Sequence, residues 1–132
     1  MTRTLCCGAL LAILATGLLT GCSKDSPKVT VTTNEQLKSA HECVAGIRST
    51  AAKGDPRKTD LAISNTVSFF NTLPAWIQYD GKGNVEDRKK AIIAAANMLS
   101  EEVYPLGTAN VVDQAKFNAK LDEVDKLVTQ AE

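Results

Sequence analysis

The sequence predicts an all-α protein, a small up-down bundle of about four helices behind an N-terminal leader and a flexible tether. Three observations carry that expectation. Apolar residues recur every three or four positions in four separate stretches, capping residues open those stretches, and glycine or proline closes the first three. In the first stretch, Thr33-Asn34-Glu35-Gln36 fits a capping box, with the Thr33 hydroxyl accepting from the Gln36 amide and the Gln36 side chain reaching back. Behind it Leu37, Ala40, Val44, Ile47 and Ala51 fall on one helical face, and Gly54 offers a left-handed cap just after Lys53. Asp55-Pro56 starts the second helix, because proline at the first helical position forfeits an amide hydrogen that has no partner there anyway. Ile63, Val67, Phe70 and Leu73 continue its stripe as far as Pro74. So short a link between the first two helices predicts an antiparallel hairpin.

Residues 74–83 then break the period with Pro74, Gly81 and Gly83, in a connection of about ten residues that is longer than a bundle requires. Asn84 can cap a third helix, with Asp87 favouring its positive end, and Ile92, Ala96, Leu99, Val103 and Leu106 form its stripe. Pro105 and Gly107 are expected to stop it. Thr108 or Asn110 opens the last helix, striped by Phe117, Leu121, Val124, Val128 and Ala131, with Asp122, Glu123, Asp125 and Lys126 on its wet face.

Ahead of the bundle, Arg3 precedes an apolar run from Leu5 to Leu19, broken chiefly by Thr16, as in the core of a secretory signal. The run is shorter than the roughly 20 residues that span a bilayer, and the chain turns polar at Ser23-Lys24-Asp25-Ser26. Leu19-Thr20-Gly21-Cys22 resembles the lipobox of bacterial lipoproteins, in which small residues before the cysteine let a peptidase close on the backbone. The resemblance implies cleavage before Cys22, a diacylglyceryl thioether on its sulfur and a fatty acid on its amine. Two or three acyl chains anchor stably, at about 0.8 kcal/mol per buried methylene. The expected organisation is therefore residues 1–21 as leader, 22–33 as lipidated cysteine and tether, and 34–132 as helical domain. In the same family's terms Ser23 resembles outer-membrane sorting, periplasmic face, while Lys24 and Asp25 keep inner-membrane retention open. Extended, Ser23 to Thr33 would reach roughly 35 Å. It reads as a tether or, alternatively, as a segment whose Val29 to Thr33 pairs with a partner strand.

Removing residues 1–21 leaves 111 residues with 14 basic and 15 acidic side chains, one domain without a field that favours nucleic acid. Cys6 and Cys7 leave with the leader and lipid consumes Cys22. Cys43 is then the one free thiol, either a small buried hydrophobe or half of an intermolecular disulfide.

Catalytic motifs are missing: the sequence holds no nucleophile elbow, phosphate loop, dinucleotide fingerprint or paired-histidine zinc motif. His41-Glu42-Cys43 cannot converge on one metal ion, because consecutive helical side chains point about 100° apart. No metal or cofactor is expected, and the protein reads as a non-enzyme. Glu101 and Glu102 could meet Asp113 or Asp122 across the last hairpin, which leaves a ligand-binding or enzymatic bundle as the competing reading. Trp76 and Tyr79 are candidate partner-binding residues, since loop aromatics bury large area at small entropic cost; the alternative is that Trp76 plugs the bundle end. Arg88 and Lys89, from the basic run Arg88-Lys89-Lys90, are further candidates near that loop. In layout the chain is similar to small helical pilotins, lipoproteins that escort a secretin, and also to small lipoproteins that exclude conjugating plasmids or phage. These resemblances imply two partners, the bilayer through Cys22 and a protein, in an adaptor role.

Overall fold

A computed structural model describes residues 32–109 and 111–132. Cys22 and the rest of the expected leader and tether up to residue 31 lie outside them. Thr32 opens the first helix, one residue earlier than expected: its hydroxyl accepts from the Glu35 amide at 3.3 Å while Glu35 Oε2 accepts from the Thr32 amide at 2.8 Å. The box closes on a carboxylate, a stronger acceptor than the Gln36 amide. Helix α1 (Thr33–Ala52) ends at Lys53, and Gly54 takes the left-handed conformation, φ 70°. Asp55 caps α2 (Pro56–Thr72) by accepting from the Lys58 amide at 3.1 Å, with Pro56 in the first turn.

Asn84 caps α3 (Val85–Met98), accepting from Glu86 at 2.8 Å and Asp87 at 3.3 Å. Pro105 does not stop this helix. In α geometry its ring would crowd the Glu101 carbonyl and its nitrogen could give no hydrogen bond. Instead the turn before it widens into a π segment (Leu99–Val103), where the Tyr104 amide donates five residues back to Leu99, and the rod runs on as α4 (Tyr104–Gly107). The start of the last helix is displaced accordingly. Its cap is Asp113, accepting from Lys116 at 3.1 Å, and not Thr108 or Asn110; α5 (Gln114–Gln130) follows.

The result is an all-α bundle of four rods, α1, α2, the continuous α3-to-α4 rod and α5, with no strand among the described residues. Neighbouring rods run antiparallel: α1 packs between α2 and α5, and α3 closes the ring against both. The expected stripes meet inside. Leu37, Val44 and Ile47 from α1, Ile63 and Phe70 from α2, Ile92, Leu99 and Val103 from the third rod, and Phe117, Leu121, Val124 and Val128 from α5 are wholly buried. Each such side chain contributes about 1.5–3 kcal/mol on leaving water, and no disulfide supplements that core among the described residues. On α2 the inward position falls on Thr66 rather than Val67; its hydroxyl donates to the Ala62 carbonyl at 2.7 Å and so enters the core satisfied. Gly107 is needed for close approach, since a Cβ there would lie 2.7 Å from Phe117 Cε2 and 2.8 Å from Ile63 Cδ1. No helix among the described residues is long and apolar enough to cross a membrane.

Candidate functional site

The connection between α2 and α3 emerges at the end of the bundle where α1 begins. A 3-10 turn (Leu73–Ala75), closed by the Trp76 amide on the Leu73 carbonyl at 2.9 Å, carries the chain across that end. Two adjacent large side chains then part company. Ile77 turns inward, 4% exposed, and Trp76 turns outward, 51% exposed. Ile77 is the residue that closes the bundle end, and Trp76 lies open, as does Tyr79 three residues on, 77% exposed.

Three restraints hold this loop. Thr33 donates its hydroxyl hydrogen to the Trp76 carbonyl at 3.4 Å and accepts from the Gln78 amide at 3.2 Å, stitching the loop to the first turn of α1. Ile77 anchors it in the core. Arg88 clasps its far side: Nη1 and Nη2 donate to the two Asp80 oxygens at 2.8 and 3.2 Å, Nη1 also reaches the Lys82 carbonyl at 3.3 Å, and Nε donates to the Ala131 carbonyl at 2.6 Å. One planar fork thus joins the loop, the start of α3 and the end of α5, with the cation at a helix C-terminus where carbonyls concentrate negative potential. Gly81 and Gly83 supply the positive φ values, 84° and 55°, that fold the Asp80 turn back onto it.

Arg88 is therefore withdrawn from the surface, while Lys89 and Lys90 stay on it. Arg88 is only 3% exposed and its guanidinium is engaged inside the protein, because position 88 is in register with Ile92 and Ala96 on the inward face. Lys89 pairs with Glu86 at 3.1 Å and Lys90 with Asp87 at 3.7 Å, so the first turns of α3 are neutralised locally. Such exposed pairs contribute little to stability. Sequence reasoning missed Asp80, Ile77 and Thr33 as parts of this end. The one signal in the sequence was the register of Arg88 with Ile92, four residues on, which sets position 88 on the inward face without naming its partners.

The Arg88 hydrogen bonds, helped by the Lys82 amide, hold the Asp80 carboxyl below its ordinary range against a smaller opposing effect of desolvation. A depressed folded pKa means that the contribution is complete above the unfolded value, near pH 4, and fades as pH falls through the folded value. Thermal midpoints should therefore decline on acidification below about pH 4, and Asp80→Asn should flatten that decline while lowering stability near neutrality. Calorimetry across that range checks both.

The remaining candidates lie elsewhere. Glu101 and Glu102 are exposed on the π segment, where Glu102 meets Lys120 at 2.8 Å rather than Asp113 or Asp122. Lys120 also holds Glu123 at 2.9 Å, and the two carboxylates raise the pKa of its amine. On the α1–α5 seam, Arg48 grips Asp122 at 2.6 Å, and His41 Nδ1 lies 2.9 Å from Asp125 Oδ1. No cluster of three or more His, Cys, Asp or Glu suited to a metal ion occurs among the described residues. Cys43 is half-buried; burial first, and the neighbouring Glu42 second, push its thiol pKa up. At the opposite end of the bundle a pocket of about 240 Å³ opens between Gly54, Pro56, Gly107 and Val112, with Asp55 and Thr59 already engaged in capping. No family model, curated protein or solved structure matches this chain.

Proposed function

We propose that the protein is a lipid-anchored, periplasm-facing adaptor without catalytic activity, held by acylated Cys22 and engaging a protein partner through the bundle end that displays Trp76 and Tyr79. The observation that carries this reading is the exposed aromatic pair on a loop restrained by Thr33, Ile77 and Arg88. Exposed tryptophan and tyrosine on a mobile segment would pay ordering entropy on binding; on a braced one most of that cost is already met by folding. Paired charges on the first turns of α3 leave the contact to shape and apolar area.

Trp76→Ala should remove a crosslinked partner from cell extracts while far-ultraviolet circular dichroism and the thermal midpoint stay near wild type, since the side chain is half in solvent. A variant that keeps its partner, or one that unfolds, contradicts this placement of the docking surface. The competing reading, a ligand-binding or enzymatic bundle, would require Glu101 and Glu102 to act from an exposed face.

A further inference from the structure

Trp76 and Tyr79 share their end of the bundle with the point where the chain leads back to Cys22. The Thr33 hydroxyl touches the Trp76 carbonyl at 3.4 Å, and only ten residue steps separate Thr32 from Cys22. That length reaches at most about 35 Å. Helix α1, with 20 residues, carries the opposite end about 30 Å further away. A lipid on Cys22 therefore tethers the body by its aromatic end.

We infer that, when no protein partner is engaged, Trp76 and Tyr79 rest in the headgroup layer of the bilayer, so that the membrane is both anchor and resting cover for the docking loop. This rests on the lipid-anchor reading and adds an occupant for the same surface. Tryptophan and tyrosine favour that layer because their rings are apolar and their N–H and O–H groups meet water or headgroups. Charge at this end is of mixed sign: Arg88 is paired with Asp80, Lys89 with Glu86 and Lys90 with Asp87, while Lys82, Glu35 and Glu132 are exposed, so the aromatic rings rather than a basic patch carry the contact. Bracing makes the contact orienting: with Thr33 and Arg88 holding the loop, seating two rings also fixes how the body stands. A partner must then compete with lipid for the loop, which confines docking to proteins that reach the membrane surface.

Trp76 is the only tryptophan, so its fluorescence reports the loop alone. The full chain, purified from membranes with its lipid and reconstituted into phosphatidylethanolamine and phosphatidylglycerol vesicles, is compared with and without lipids bearing a nitroxide near the headgroup. The expected result is a blue-shifted emission that loses most of its intensity to the shallow nitroxide. A second protein, Trp76→Phe with Val111→Trp, places the probe at the far end, where Val111 is 88% exposed, and should show no quenching. Protein that stays with the vesicles while Trp76 remains unquenched overturns the inference and leaves the anchor standing. Equal quenching of both probes also overturns it, by showing a body that lies flat. Protein that never associates with vesicles removes the anchor and the inference together.

Discussion

Arg88→Met should lower the thermal midpoint by roughly 15 °C, equivalent to about 3 kcal/mol, while leaving far-ultraviolet circular dichroism nearly unchanged at low temperature. Methionine keeps most of the side-chain length and removes the charge and all five donors. The guanidinium it replaces is 3% exposed and serves the Ala131 carbonyl, the Lys82 carbonyl and both Asp80 oxygens. Breaking a buried charged network costs about 3–5 kcal/mol, and the lower figure applies because the Asp80 side chain retains 28% of its exposure and can recruit water. The helices should survive because their stripes do not depend on the clasp. The loop should not stay fixed, and Trp76 emission should become more quenchable by added iodide. A loss below about 1 kcal/mol would mean that Arg88 behaves as an ordinary surface pair.

Cys22→Ser should abolish incorporation of a palmitate analogue and should accumulate the uncleaved precursor. Both effects follow from the same chemistry. An alcohol cannot replace the thiolate in forming the thioether, and the lipobox resemblance implies that cleavage waits for that bond. Without the thioether and the cleavage that waits for it, the amine of residue 22 is never freed, so neither the diacylglyceryl group nor the amide-linked fatty acid is attached. Denaturing gels of labelled cells check it: full labelling of Cys22→Ser would place any lipid elsewhere.

The four stripes were legible because a 3.6-residue period survives in the order of apolar residues, and Leu37 through Ala51 or Phe117 through Ala131 land inside as that period requires. What was not legible depended on tertiary choice. Thr32 and Thr33 offer the same hydroxyl to a helix start, and Thr33 loses the cap because Trp76 and Gln78, more than 40 residues on, claim it. The last helix starts late because a π turn carries the third rod across Pro105, a remedy that a rule for proline as a stop does not contain. Which of Trp76 and Ile77 turns inward is decided by the 3-10 turn before them, and periodicity says nothing across a break. Arg88 was misplaced on the surface for a different reason. Its register with Ile92 was visible, but burial of a guanidinium becomes reasonable only when Asp80 and the Ala131 carbonyl are seen to converge on it.

The central claim is that acylated Cys22 ties this helical body to a bilayer, and the mass of the N-terminal tryptic peptide from membrane-extracted protein tests it most directly. Cleavage after Lys24 should yield Cys22-Ser23-Lys24 carrying one diacylglyceryl group and one amide-linked fatty acid. A peptide of that sequence without lipid, or a chain that starts anywhere other than Cys22, would contradict it.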